Sequence, residues 1–219
     1  MFDGICCPVE FFEELDGLSF VRAAFFQRCP GIDVQVDRSE ALTRLADAHQ
    51  RARHDIFGDL PLQTAEQVHD NQVAVVEAPG AVIPGADAMI TSTPGIVLGI
   101  HVADCAAVFA VDCRNQAIGL AHSGRKGTER RIVPNMIQRM GEVYGTLPSD
   151  LVLVVSPCIR PPHYETDFAA EIVDQAHGVG VAEVVDAGTC TASNPDRYYS
   201  YRREKGQTGR MLALLAILP

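Results

Sequence analysis

The residues most able to do chemistry lie between Gln67 and Gly127. Four short motifs in this segment, QVH, GADAMIT, HVADC and AHSGRKG, carry three imidazoles, two carboxylates and one thiol. Side chains of these types bind transition metals or form pairs of a nucleophile and its base. We therefore expect the functional site here.

A β-hairpin is predicted to bring two of these side chains together. Two apolar runs flank Asp112–Asn115. If these four residues form the turn, Val111 faces Gln116 and the same register places Cys105 opposite His122. Directly opposite residues in an antiparallel pair have Cβ atoms about 4.5–5.5 Å apart. The pair would be part of a metal site or a nucleophile with its base, although a turn of another length would shift the register.

His69 can supply a third ligand from a separate segment. Two imidazoles and one thiolate hold Zn²⁺ with a fourth position open, which is typical of catalytic zinc sites and lets a bound water ionise more easily. The alternative is that His69 and His122 are ordinary polar residues and that Cys105 is a small buried apolar residue. The sequence contains no CxxC or HExxH motif that would favour the metal.

Charged residues near these motifs are candidates for further roles. Asp87 and Asp104 could carry protons, orient a ligating histidine, or serve in a turn or cap. Arg125 and Lys126 lie between glycines just before a predicted helix, where anions bind. Arg202 could bind an anion or form a surface ion pair.

Apolar periodicity predicts the elements that position these residues. Strands are predicted at 18–27, 72–77, 96–100, 106–111, 117–121, 151–155 and 181–185, and at the chain end from Met211. Helices are predicted from a cap at Ser39 to Gly58, at 128–144 with Pro134 as a kink or in the first turn, and at 168–177 after a cap at Asp167. This mixed order predicts an α+β or mixed α/β fold. His49, His54 and His177 fall on predicted helices, where we expect solvated or hydrogen-bonded imidazoles rather than ligands.

Composition bounds the class of protein. The chain has 219 residues, of which 47% are hydrophobic, and a formal net charge of −10. A chain of this length buries a sizeable core without a metal or a disulfide, so we expect one domain over residues 1–219, with residues 1–17 loosely ordered. The acidic balance argues against nucleic acid and anionic membranes as partners.

The termini and cysteines indicate a compartment. The start of the chain has no basic segment followed by a long apolar run, and the most apolar stretch, residues 96–111, is shorter than the about 20 residues of a membrane span. We expect a cytoplasmic protein whose seven cysteines are reduced thiols. Cys6 and Cys7 are expected in a mobile or edge segment.

Taken together, the motifs resemble the laccase-domain or multicopper polyphenol oxidase family of the YfiH type, also described as purine nucleoside phosphorylase-like proteins and as peptidoglycan editing factors. The resemblance extends from about Phe20 to the C-terminus and includes SPCI, the YE at Tyr164 and SYRRE…TGRMLAL. It implies a layered α-β-β-α fold with mixed sheets. It also implies zinc ligands at His69, Cys105 and His122.

Two departures from the family pattern concern the substrate surface. The family usually has AHAGWRG, whereas this chain has AHSGRKG, with Ser123, Arg125 and Lys126. The family's N-terminal FSTRxGG-like run is echoed faintly by FQRCPG, which makes Arg28 its counterpart here. These departures indicate a changed substrate preference or a lost activity.

The family resemblance implies a zinc-dependent enzyme of purine nucleosides. The expected reactions are phosphorolysis of adenosine or inosine and deamination of adenosine, with a nucleoside and phosphate as partners. Phosphate would be bound by the basic side chains of Arg28, Arg125, Lys126 or Arg202. Protons would be transferred by one of two carboxylates, Asp87 or Asp104.

Three other functions are weighed against this one. Cys105 and His122 could hydrolyse an amide, since the family includes a factor that removes L-serine from a cytoplasmic cell-wall precursor. The chain could also be a catalytically degenerate binding protein. Polyphenol oxidation is disfavoured, because multicopper sites need many histidines, often as His-x-His pairs, and this chain has seven histidines and no such pair. Copper could still bind adventitiously at a zinc site.

Overall fold

Two β-sheets packed face to face form the centre of the structure, a computed structural model that describes residues 7–219. The strands of the described part are β1 (Val9–Glu10), β2 (Val21–Phe26), β3 (Leu62–Thr64), β4 (Val73–Val75), β5 (Ala88–Thr91), β6 (Val97–Val102), β7 (Ala106–Asp112), β8 (Ala117–Ser123), β9 (Leu151–Val155), β10 (Glu183–Asp186) and β11 (Met211–Ile217). The helices are α1 (Glu13–Asp16), α2 (Arg38–Phe57), α3 (Arg125–Glu129), α4 (Ile132–Tyr144) and α5 (Phe168–Gly178), with short 3₁₀ turns at Pro148–Asp150 and Thr191–Ser193.

Both sheets are mixed. The five-stranded sheet has the order β1-β2-β11-β6-β3, and the six-stranded sheet has the order β10-β9-β7-β8-β5-β4. The edge pairs β3–β6, β4–β5 and β9–β10 are parallel, and the other pairs are antiparallel. The chain passes from the first sheet to the second between β3 and β4 and again between β6 and β7.

Helices cover the outer faces of the two sheets. One apolar cluster joins α2, the five-stranded sheet and the inner face of the six-stranded sheet, and a second joins the other face of that sheet to α4 and α5. Every residue of β7 and β8 is buried as a result, which explains their continuous apolar sequences. The layers therefore run α-β-β-α, and the predicted mixed fold is confirmed.

The helix boundaries differ from prediction where local polar groups decide them. The carboxylate of Asp37, and not Ser39, caps α2 by accepting the backbone N–H groups of Ser39 and Glu40. The helix predicted over 128–144 is broken at Arg131, whose left-handed backbone (φ 61°) separates α3 from α4. Pro134 lies in the first turn of α4, where its missing N–H costs nothing.

The N-terminal segment is ordered in its described part. β1 pairs with β2, and the side chain of Leu15 in α1 is fully buried. Cys7 and Cys29 are joined by a disulfide. The expectation of reduced thiols throughout is therefore wrong for this pair, because β1 adds to the sheet edge and holds Cys7 beside Cys29. Cys6 lies outside the described residues.

No helix among residues 7–219 combines the length and the apolar character needed to cross a membrane.

Candidate metal centre and cavity

Three side chains converge as a candidate metal centre. The centre has one donor atom from each of three residues, His69, Cys105 and His122, and these three atoms lie within 4.8 Å of one another. The Cys105 sulfur is 3.8 Å from Nε2 of His69, and the two imidazoles meet edge to face with centroids 4.7 Å apart. The structure thus brings together all three residues that the sequence motifs singled out.

The hairpin that positions two of them has a different register from the predicted one. Val111 pairs with Ile118 and not with Gln116. The turn begins one residue later because the carboxylate of Asp112 accepts the backbone N–H groups of Arg114 and Asn115. Asp112 therefore ends its strand and pairs with the first residue of the next strand.

The change in register moves Cys105 relative to His122 but keeps both on one face. His122 pairs with Ala107, so Cys105, two residues earlier, is a diagonal neighbour of the imidazole rather than the residue opposite it. Because side chains alternate with a period of two, a shift of two residues preserves the face. The predicted contact survives for this reason.

Asp87 holds the loop of His69 and the ring of His122 in place by hydrogen bonds. Its fully buried carboxylate accepts the backbone N–H groups of Val68, His69 and Asp70 at 3.1, 2.9 and 2.8 Å. It also accepts Nδ1–H of His122 at 2.8 Å, which leaves Nε2 of that ring to bind a ligand. Burial raises the pKa of Asp87, but the hydrogen bonds from His122 and the backbone outweigh burial and hold the pKa below its usual value. Asp87 is therefore an ionised positioning group with no contact to the cavity.

The loop that carries His69 has an unusual backbone. Gln67 and His69 both have φ near 63°, a left-handed conformation that costs free energy in residues with a side chain. The side-chain amide of Gln67 bonds the backbone of His101 in both directions, at 2.6 and 2.9 Å. These bonds and those to Asp87 maintain the strained loop and the direction of the His69 ring.

Gly124 leaves room for the Cys105 sulfur. A Cβ atom at Gly124 would overlap that sulfur and would lie 3.9 Å from the ring of His69. The glycine of the AHSG motif is therefore required by the close approach of the backbone to the Cys105 sulfur.

Without a metal, Cys105 and His122 polarise each other. Burial raises the pKa of the Cys105 thiol, but the charge and hydrogen bonds of the nearby imidazoles lower it to about 6. Burial lowers the pKa of His122, but the Cys105 thiolate and the hydrogen bond to Asp87 raise it to about 9. Without a metal, the geometry thus favours a Cys105 thiolate next to a His122 imidazolium.

The donor set fits a zinc ion. Zn²⁺ binds thiolate at about 2.3 Å and imidazole at about 2.0–2.1 Å, so tetrahedral donor atoms lie about 3.5 Å apart. The 3.8 Å separation of the His69 and Cys105 donors is close to this value. His69 is exposed whereas His122 is buried, and both line the same cavity together with Cys105.

The centre opens into a cavity of about 840 Å³. Its walls carry the aromatic side chains Tyr164, Phe168 and Tyr201 and the charged side chains Arg38, Asp104, Arg125, Lys126, Arg202, Lys205 and Arg210. Six of these seven charged groups are basic, although the whole chain has a net charge of −10. The cavity therefore concentrates positive potential beside the centre.

Three of the predicted anion-binding residues line this cavity. Arg125 and Arg202 both reach Glu165, at 3.5 and 2.6 Å, and the Arg202 guanidinium lies 4.8 Å from the Tyr164 ring centroid. Lys126 makes no ion pair within residues 7–219. The arginine–glutamate contacts are exposed, so their net contribution to stability is small, and an anion can compete for both guanidinium groups.

Asp104 fixes the cavity wall. Its two carboxylate oxygens accept the Thr191 hydroxyl and the backbone N–H of Arg202, both at 2.7 Å. Burial raises its pKa, and the bond from Arg202 opposes that rise. Asp104 therefore anchors the segment that carries Arg202.

Arg28, the fourth predicted anion-binding residue, lies elsewhere. Its guanidinium pairs with Glu204 at 2.7 Å, bonds the Tyr198 carbonyl and stacks over the Tyr199 ring at 4.3 Å. Arg28 is absent from the cavity lining. Phosphate binding by Arg28 stays a prediction that this position does not favour, because neighbours in the fold already satisfy the charge.

Sequence reasoning missed several residues of the cavity. Arg38 joins it from the start of α2, Lys205 and Arg210 join it from the connection before β11, and His101 forms part of its wall. Arg210 lies in TGRMLAL and His101 in HVADC, so the motifs themselves offered a signal for these two. The sequence offered no such signal for Arg38 or Lys205.

Comparisons with known proteins identify the family of this chain. The family described as "Multi-copper polyphenol oxidoreductase laccase" matches residues 31–176 and 161–218. A purine nucleoside phosphorylase of Deinococcus radiodurans is 34% identical over 69% of this chain and 68% of its own length. A second, from Corynebacterium glutamicum, is 30% identical over 74% and 77%.

Solved structures show the same fold. YlmD from Geobacillus stearothermophilus superposes with a TM-score of 0.84 at 21% identity, over 92% of this chain and 93% of that one. Bacillus licheniformis YfiH gives 0.83 at 19% identity, over 99% and 98%. On the sequence match and the shared fold, this chain belongs to the family described as multi-copper polyphenol oxidoreductase laccase.

Proposed function

We propose that this protein is a zinc-dependent enzyme that cleaves the N-glycosidic bond of adenosine- or inosine-type nucleosides with phosphate. One observation carries the proposal: an open set of two imidazoles and one thiolate lies beside a strongly basic cavity with aromatic walls. The names of the two relatives point to the same reaction.

His69, Cys105 and His122 would hold the ion. When bound, Zn²⁺ supplies a Lewis acid next to the cavity. Asp87 keeps the Nε2 lone pair of His122 directed at the centre and fixes the loop of His69. Asp104 anchors the wall segment that carries Arg202 and also lines the cavity, where it could handle a proton.

The cavity lining supplies binding groups for both substrates. Arg125, Lys126 and Arg202 would bind phosphate, since guanidinium groups match its oxygens in pairs and the lysine adds a point charge. Tyr164 and Phe168, which meet edge to face at 5.8 Å, offer apolar faces against which a purine can pack. Deamination of adenosine would use the same pocket with water in place of phosphate.

The test is release of free base by zinc-loaded protein. Inosine and adenosine are incubated with and without phosphate, and base and sugar phosphate are separated by chromatography. We expect base release that needs phosphate, is lost in Cys105→Ala and is retained in Cys113→Ala, a matched change at an exposed cysteine in the hairpin turn. Absence of phosphate-dependent release from fully loaded protein would refute phosphorolysis.

The contact between Cys105 and the imidazoles supports a second candidate, amide hydrolysis with Cys105 as nucleophile. Chelation separates the two candidates. A hydrolase of this kind works in metal-free protein and is blocked by a thiol alkylator, whereas the zinc enzyme stops when its metal is removed. Nucleoside binding without turnover in both states would indicate a degenerate binding protein.

A further inference from the structure

A second cluster of metal-binding side chains lies on the far side of the cavity wall. Donor atoms of Cys7, Cys29 and His49 all lie within 4.8 Å of one another, and all three residues are buried. The β1–β2 ladder places Cys7 beside the end of β2, where Cys29 follows. His49 projects from the buried face of α2 onto the same place. The fold itself therefore assembles the cluster from three segments.

The imidazole of His49 lacks the partner that a buried polar group needs. Its Nε2 atom is inaccessible to solvent and makes no hydrogen bond within the described part of the chain. His54 and His177 behave as predicted, since one is exposed beside Asp59 and the other bonds the Val181 carbonyl at 2.9 Å. His49 differs, and an unsatisfied buried atom of this kind signals a ligand that it is positioned to bind.

We propose that Cys7, Cys29 and His49 form a buried site that binds Zn²⁺ when the Cys7–Cys29 disulfide is reduced and loses the ion when the disulfide forms again. This site is separate from the centre at Cys105 and does not depend on the proposed function.

The chemistry of the cluster selects the ion. Two thiolates and one imidazole are soft or borderline donors and contain no carboxylate, which favours Zn²⁺ over Mg²⁺ or Ca²⁺. Two thiolates around a divalent cation sum to zero charge, whereas a monovalent cation would leave one negative charge in an apolar interior. Burial lowers the pKa of His49 to about 4, so its ring is neutral and able to coordinate at neutral pH.

The redox step balances with a dithiol as reductant. The reductant transfers two electrons and two protons to the disulfide, which becomes two thiols while the reductant becomes a cyclic disulfide. Binding of Zn²⁺ then displaces the two thiol protons to solvent. An oxidant that reforms the disulfide removes both thiolates and releases the ion.

The cluster also touches the wall of the substrate cavity. The ring of His49 lies 6.1 Å from that of His101, which lines the cavity. A metal at the cluster would fix the His49 ring against His101.

The test uses Cys105→Ala protein, in which the first centre has no thiolate. Co²⁺ replaces Zn²⁺ as the probe, because thiolate ligation gives an intense near-ultraviolet charge-transfer band. After reduction with a dithiol and its removal under argon, we expect one Co²⁺ per chain with that band, and none in the same protein before reduction. This comparison requires no substitution in the cluster, and circular dichroism confirms that both forms are folded.

Substitutions then assign the ligands in the same background. Cys29→Ser removes one of the two thiolates and should abolish tight binding. His49→Gln should weaken binding about tenfold or more. Cys113→Ser, at an exposed free cysteine, should change nothing. A reduced, folded protein without the band, or a band that is unchanged by both Cys29→Ser and His49→Gln, would overturn the proposal.

Discussion

Replacing Asp87 by asparagine tests the geometry of the metal centre most sharply. The two carboxylate oxygens divide four donors between them: Oδ1 serves His69 N–H and His122 Nδ1–H, and Oδ2 serves the N–H groups of Val68 and Asp70. An amide keeps one acceptor oxygen and turns a donor group toward the other pair. Either orientation breaks two hydrogen bonds.

The expected loss follows from those two bonds. Hydrogen bonds to a buried charged group contribute about 1.5–3 kcal/mol each, so the loss of two in Asp87→Asn should lower the free energy of unfolding by about 3–6 kcal/mol. Groups that orient metal ligands typically change metal affinity by about 10–100-fold when mutated. We therefore expect both quantities to fall, measured by urea unfolding and by competition with a chromophoric zinc chelator.

Asp112→Asn is the matched control. Asp112 is also fully buried and accepts two backbone N–H groups and a side-chain amide, but it lies at the opposite end of the β7–β8 hairpin. The Asp112→Asn protein should lose stability and keep its zinc affinity. Wild-type zinc affinity in Asp87→Asn, or an equal loss of affinity in Asp112→Asn, would refute the assigned role of Asp87.

Other variants separate the cavity from the scaffold. Gly124→Ala should abolish zinc binding, measured by titration calorimetry, because the added methyl group overlaps the Cys105 sulfur. Its control, Gly178→Ala, lies at an open position at the end of α5 and should stabilise the fold by up to about 1 kcal/mol, measured by thermal melts. Arg202→Ala should raise KM for phosphate about tenfold through loss of one charge-assisted contact, whereas Arg28→Ala should leave KM unchanged and lower stability by about 1 kcal/mol; equal KM values in the two variants would contradict this. Burial raises the pKa of Glu204, but the hydrogen bonds to it outweigh burial and hold that pKa below 4.5, so this carboxylate stabilises the fold above that pH and the contribution is lost as pH falls further. Urea titrations from about pH 5 to about pH 3 should show a flatter loss of stability in Glu204→Gln, and an unchanged slope would contradict the assignment.

Continuous apolar runs made much of the fold predictable. β7, β8, β9 and β11 are buried on both faces, so their sequences mark them without help from tertiary context. β1 and β3 escaped prediction, because two or three residues at a sheet edge leave no periodic pattern.

The candidate site was predictable to the extent that its residues sit in motifs. His69, Cys105 and His122 were found because the hairpin spacing placed two of them together and the family resemblance implied all three, whereas spacing alone left ordinary polar and buried roles open. The displaced turn and the pairing of Arg28 with Glu204 were not accessible, since each depends on a partner chosen by the fold. The same reason hid the unsatisfied ring of His49, which looks like any other helical histidine in the sequence.

The path of the chain between the sheets gives the metal centre a mechanical role. His69 lies on the passage from β3 to β4, and Cys105 on the passage from β6 to β7, so two ligands sit where the chain leaves one sheet for the other. An ion bound there would link these two connections to each other and to His122 in β8. These three segments could then separate only after the ion dissociates, so bound metal should slow the opening of this part of the chain.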